Sequence, residues 1–253
     1  MSEQQKINWD SVLIRCSSLG ALFTEPKSKE DKESGNLSQT AKTMLINEYI
    51  RLKYDRVRDI ETKQMKKGKE AEEDSITMLS KYLKKFLRKN KERIDNEYIT
   101  GLPDTYEGEQ IMGCEIIYDI KTSWDIWTFL PNIGSKLNSD YYYQLQGYMW
   151  LTGCQKSAIA YCLADTPQNI IDAEKLKLLR SMNVISEESP EYIEAAAGLE
   201  INMIYPDMPL NEKILLFPVS RDESVIERIS QKVIKAREFL YEFEKSHINF
   251  NNL

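Results

Sequence analysis

Leu102-Pro103-Asp104, Asp119-Ile120-Lys121 and Gln144-Leu145-Gln146-Gly147-Tyr148 follow one another in that order, and their reading decides the fold. If Glu115 to Lys121 is extended, side chains at i and i+2 share a face, so Asp119 and Lys121 project together. Asn96 to Gly101 predicts a strand and turn leading into Pro103-Asp104. The fourteen residues between Asp104 and Asp119 then suit a hairpin that brings the two carboxylates together. Hard carboxylate oxygens suit magnesium or manganese, and a lysine beside them can orient a water or meet charge on a phosphate. That chemistry is metal-assisted phosphodiester hydrolysis. A lone Asp-X-Lys is ordinarily a solvated strand face; the surrounding order gives this one its weight.

A third carboxylate lies upstream. Ile76, Leu79, Leu83, Phe86 and Leu87 recur at helical spacing in a helix expected from about Gly68 to Arg88, and Glu72 falls on that apolar stripe. An acid there calls for a partner or a metal. The competing explanation is acid in the first turn favoured by the helix dipole, which suits Glu70 and Glu73 better than Glu72.

With these residues in place, the chain resembles the phage lambda exonuclease and YqaJ-type viral recombinase family of the PD-(D/E)XK nuclease superfamily, in the same order from about residue 12 to about 245. Ile14-Arg15-Cys16-Ser17-Ser18-Leu19 resembles the family's N-terminal element, Gly68-Lys69-Glu70-Ala71-Glu72 its G-x-x-x-E helix, and Leu102-Pro103-Asp104 its S-P-D. Asp119-Ile120-Lys121 stands where the family has Glu-X-Lys. Gln144 to Thr152 resembles the helix lining the site, and Val219 to Glu223 the closing strand and helix.

The resemblance implies an α/β fold, a restriction-endonuclease-like core with a mixed central sheet flanked by helices, plus extra helices. It implies Glu72, Asp104 and Asp119 around Mg2+ or Mn2+, Lys121 assisting, Gln144 and Gln146 on the helix that contacts DNA, and Ser17 near a phosphate. Leu102 and Thr105 replace the family's serine and glycine around Pro-Asp. The family's 5′-phosphate arginine aligns nearer Asp10, leaving Arg15 as the candidate for that role. The implied activity is 5′-to-3′ digestion of duplex DNA ends by a ring-shaped trimer that works with a single-strand annealing protein. A structure-specific endonuclease of the same fold, or a non-catalytic DNA-binding subunit, stays open at this point.

Composition bounds the rest. The chain has 253 residues and 42% hydrophobic content, enough for one domain over 1–253 with a flexible loop at 26–38 and a helical insertion at 168–205. Net charge is −6, yet 63–93 holds eleven Lys or Arg against five Asp or Glu, a local +6. That basic segment is read equally as a phosphate track or as a solvated face. Among the aromatics, Trp124 and Trp127 directly after Asp-Ile-Lys are the candidates for base stacking or a subunit contact, while Tyr148 and Trp150 are assigned to the core.

Cys16, Cys114, Cys154 and Cys162 form no C-x-x-C and none follows Cys162, so no iron–sulfur cluster is expected. The single histidine, His247, leaves no basis for zinc. No apolar run reaches membrane-spanning length and no signal peptide opens the chain, so a cytoplasmic location with reduced thiols is expected, the bacterial host's cytoplasm if phage-encoded.

Overall fold

The computed structural model describes residues 7–58, 61–183 and 185–250, with the side chains of 247–250, and so that of His247, outside the described set. In chain order the elements are β1 (Ile14–Arg15), α1 (Leu19–Phe23), α2 (Lys29–Glu33), α3 (Gln39–Tyr54), α4 (Lys63–Glu70), α5 (Glu72–Leu83), β2 (Arg88–Lys89), β3 (Ile94–Asp95) and β4 (Ile99–Gly101). There follow β5 (Thr105–Glu107), β6 (Ile116–Thr122), α6 (Ile126–Phe129), α7 (Ser139–Thr152), β7 (Lys156–Cys162), α8 (Gln168–Ser181), α9 (Pro190–Ile201), β8 (Ile214–Ser220) and α10 (Glu223–Phe250).

The central sheet runs β2-β5-β6-β7-β8, and a small sheet runs β1-β4-β3. β6 and β7 are parallel, joined through α7, while β5 and β8 flank them antiparallel. Ile117 to Ile120 are all buried, as a central strand covered on both faces requires. Period-2 alternation divides the core. Tyr118, Ile120, Ala158 and Ala160 meet Ile76 and Leu79 of α5. Ile117 and Ile159 face a larger cluster with Leu145 of α7, Leu19 of α1 and Ile229 and Val233 of α10. Full burial of each such side chain contributes about 1.5–3 kcal/mol.

Several boundaries depart from the sequence expectation for identifiable reasons. Ser28 Oγ accepts from Asp31 N at 3.1 Å and Asn36 Nδ2 donates to Asp31 Oδ1 at 2.9 Å, so the expected 26–38 loop contains the helical turn α2. Ser38 caps α3 through Ala41 N, and the helix stops at Tyr54, where Asp55 turns left-handed. The helix expected over 68–88 is two helices hinged at Ala71, and α5 ends where Lys84 takes φ 54°. Phe86 therefore falls beyond the helix and lies exposed, and Leu87 takes the buried place. The insertion consists of α8 and α9 as expected, with Val184 of the joint outside the described residues.

Candidate active site

β6 delivers Asp119 and Lys121 to one face, where Lys121 Nζ meets Asp119 Oδ2 at 2.5 Å. Asp104 sits at the turn into β5, whose pairing with β6 sets Thr105 opposite Tyr118. Its Oδ2 accepts from Ile120 N at 2.7 Å, a bond that ties the Pro-Asp turn to the neighbouring strand. α7 completes the group, Gln144 Nε2 donating to Asp119 Oδ1 at 2.9 Å. These residues line a cavity of about 610 Å3 together with Glu72, Trp124, Tyr141 and Tyr148.

Electrostatics follow from burial. Burial first, then the charge of Asp119, pushes the Asp104 carboxyl up to about 7, and the Ile120 amide and Lys121 oppose it only in part. Asp119 is also raised, by burial first, with Lys121 pulling the other way. For Lys121, burial favours the neutral amine, but the charge and hydrogen bond of Asp119, helped by Asp104, outweigh it and raise the amine above its ordinary value. Its ammonium also stands 4.7 Å from the Tyr141 ring centroid.

Glu72 lies in the first turn of α5 and lines the same cavity, but its carboxylate pairs with Lys89 at 3.0 Å and is not on the buried stripe the periodicity implied. Among the described residues, no three His, Cys, Asp or Glu side chains converge closely enough to hold an ion. What the donor set does supply is two aspartates and one glutamate on a common cavity, with hard oxygens of the type magnesium and manganese take. Asp104 and Asp119 carry oxygens of that type on the cavity, and Glu72 would have to leave Lys89 to join them.

Three expected contact residues stand elsewhere. Gln146 is buried and stays away from the cavity: its Nε2 donates to Ser220 O at 2.8 Å and its Oε1 accepts from Asp222 N at 2.9 Å, fastening α7 to the start of α10. The reason is helical geometry, since Gln144 and Gln146, two residues apart, point about 200° from each other. Arg15 lines a second cleft of about 420 Å3 with Ser18, Arg51, Arg56 and Arg58, whereas Ser17 is exposed and lines neither cavity. Trp124 lines the acidic cavity, with Lys63 Nζ 4.7 Å from its ring centroid, while Trp127 is 62% exposed outside it.

Tyr148, expected only as core, also belongs to the site. Its hydroxyl accepts from Gln144 Nε2 at 2.8 Å and donates to Leu102 O at 3.3 Å, so one phenol links α7 to the Pro-Asp turn. Burial, then the Asp119 charge, holds that phenol far above its ordinary range, so it remains a neutral donor. The signal was the four-residue spacing from Gln144, which stacks both on one helix face. Tyr141, reaching the cavity from the same helix, had no comparable signal.

No family model and no curated protein matches the chain. Among solved structures, a phage-related exonuclease from Haemophilus somnus is 28% identical at TM-score 0.71, over 94% of this chain and 97% of that one. An alkaline exonuclease from Laribacter hongkongensis is 15% identical at TM-score 0.59, covering 96% of this chain and 95% of that one. The same enzyme in complex with dAMP is 14% identical at TM-score 0.59, covering 95% and 92%. These last two speak to the fold, a mixed sheet flanked by helices of the PD-(D/E)XK type. Near end-to-end agreement with the Haemophilus somnus phage-related exonuclease, joined to the chain's own ordered Pro-Asp, Asp-Ile-Lys and Gln positions, supports the resemblance to the lambda exonuclease and YqaJ-type recombinase family of PD-(D/E)XK nucleases.

Proposed function

We propose that the chain is a divalent-metal-dependent deoxyribonuclease, a 5′-to-3′ exonuclease that resects duplex DNA ends for recombination. The observation that carries this reading is the convergence of Asp104, Asp119, Lys121 and Gln144 on one cavity. Its likeness over nearly full length to a phage-related exonuclease supports it.

A magnesium or manganese ion held by Asp104, Asp119 and Glu72 would supply positive charge to the reacting phosphate and lower the pKa of a bound water. The chain's own groups do the rest. Lys121, its amine raised, stays protonated near neutral pH and meets the negative charge that builds on the phosphoryl oxygens. Gln144 holds the Asp119 carboxylate in place, and Tyr148 fixes the orientation of the Gln144 amide. Trp124 at the rim offers a face to a base. Arg15 and the arginines of its cleft are the candidates to hold the terminal phosphate. The assembly and partner that go with this reading are a ring-shaped homotrimer and a single-strand annealing protein, both resting on the family resemblance.

The test is digestion of linear duplex DNA labelled at either end, with and without a 5′ phosphate, beside a covalently closed circle. Magnesium-dependent loss from 5′ ends with the circle intact is expected. Lys121→Ala is expected to lower the rate by about 10²–10³-fold, the usual consequence of removing one transition-state charge partner. Nicking of the circle would replace the reading with an endonuclease, and tight binding without any cleavage would replace it with a non-catalytic subunit.

A further inference from the structure

Lys67 is the one lysine or arginine among the described residues whose side chain is buried, at 0% exposure. An ammonium in such a place needs a reason, since leaving water is costly unless a partner compensates. Among the described residues no carboxylate forms an ion pair with it, and its hydrogen bond goes to Trp124 O at 2.8 Å. Trp124 lies beyond Thr122, the last residue of β6, so its carbonyl has left the sheet and Lys67 is its donor. Burial lowers the Lys67 amine to about 8, with Asp165 and then Asp125 acting to keep its charge.

The contacts around that ammonium join three parts of the chain. Lys63 and Lys67 are one helical turn apart on α4, and their ammonium groups lie 4.7 and 6.0 Å from the Trp124 ring centroid. Lys67 Nζ is also 5.9 Å from the Tyr205 ring, at the end of the insertion. Trp124 itself packs against the insertion's Ile170, Ile171 and Met203. Lys63 pairs with Glu174 at 2.8 Å and Asn169 donates to Glu70 at 2.9 Å, so α8 is fastened to α4 on the same side. The insertion is thus a brace behind the rim of the acidic cavity.

We propose that Lys67 is a positioning residue: it fixes the Trp124 turn and ring at the cavity rim, where Trp124 stacks on a base of the strand being cut. This rests on the nuclease reading above. Lys67 touches neither substrate nor metal and acts only through Trp124.

The experiment measures kcat and KM on linear duplex DNA in magnesium for the unmodified chain, Lys67→Met, Trp124→Leu and the double variant, each with its melting temperature. Lys67→Met is expected to raise KM about tenfold while kcat moves less than about threefold, the size of one lost stacking contact. Trp124→Leu is expected to raise KM as much, and the double variant no further, because the two residues act as one unit. A purely structural role would lower the melting temperature and the active fraction with KM unmoved, and that result overturns the proposal. Additive effects in the double variant overturn it too. If Lys67→Met does not fold, Trp124→Leu decides alone: a tenfold rise in KM supports the stacking role and an unchanged KM removes it. Failure of the unmodified chain to cleave would overturn the nuclease reading and this inference with it, whereas cleavage with an unmoved KM overturns this inference only.

Discussion

Asp104 and Asp119 are held in the fold at an energetic cost, and the direction of that cost makes a prediction. In an unfolded chain an aspartate titrates near about 3.9. In the folded chain burial pushes Asp104 up to about 7 and Asp119 in the same direction. Between those values the folded state binds more protons than the unfolded one, so stability falls as pH rises from about 4 to about 7 and then levels for Asp104. A cation held by these carboxylates would offset that cost. Magnesium or manganese is therefore expected to raise the melting temperature more at pH 8 than at pH 5, by about 2–4 °C for each kcal/mol of binding linkage. Thermal scans with metal and with chelator at the two pH values check this. An equal shift at both values would show that the cation does not bind at these carboxylates.

α7 is the helix on which packing and site geometry meet, and small residues let it sit where it does. A Cβ at Gly20 of α1 would come within 2.4 Å of Asp140 Cα, a backbone atom that cannot swing aside. Gly20→Ala is expected to destabilise by about 1–3 kcal/mol or more through overpacking. Gly198, in the last turn of α9 with nothing within 4 Å, is the matched control, and Gly198→Ala is expected to stabilise by about 0.5–1 kcal/mol. Urea unfolding of both reads the difference; a neutral Gly20→Ala would mean that α1 and α7 do not pack this closely. The same helix shows what was legible in the sequence. Alternation put Asp119 beside Lys121, because that follows from backbone periodicity alone, whereas Gln144 came to the site by the family resemblance. Gln146 was misread because family likeness carried both glutamines to the site, while a turn of 200° sends the second to Ser220 and Asp222. The break at Ala71, where φ is −95° and ψ 8°, was hidden because nothing in Glu70-Ala71-Glu72 disfavours helix. Lys67 was invisible for a related reason: a lysine in a lysine-rich segment reads as solvent-facing, and its burial depends on Trp124 and Tyr205, which are distant in sequence.

Charge distribution across the molecule decides between the two readings of the basic segment. Lys63, Lys66, Lys69 and Lys89 lie 2.8, 3.8, 2.6 and 3.0 Å from Glu174, Glu70, Glu61 and Glu72. Lys85 pairs with Glu107, and Lys67 is buried. Glu174, Glu61 and Glu107 from outside the segment thus offset half of the local excess of +6, and Glu70 and Glu72 within it engage two more of its lysines, so the solvated-face reading is the better one. The arginine cleft is different. Arg51 is engaged by Glu48, but Arg15, Arg56 and Arg58 line the cleft with no ion pair among the described residues. Arg15 pairs in register with Thr100 on β4, the strand that runs into Pro103-Asp104. Each phosphate neutralised contributes about −0.9 to the slope of log K against log salt, so binding through this cleft predicts a slope no steeper than about −4. Titration of duplex ends between low and moderate salt with the Lys121→Ala variant in chelator, without divalent metal, measures it. Arg15→Ala is expected to make the slope shallower by about one, and Lys66→Ala to leave it unchanged. A slope near −6 that responds to Lys66→Ala would return the phosphate track to the basic segment, since lysines already held by carboxylates contribute little unless DNA displaces those partners.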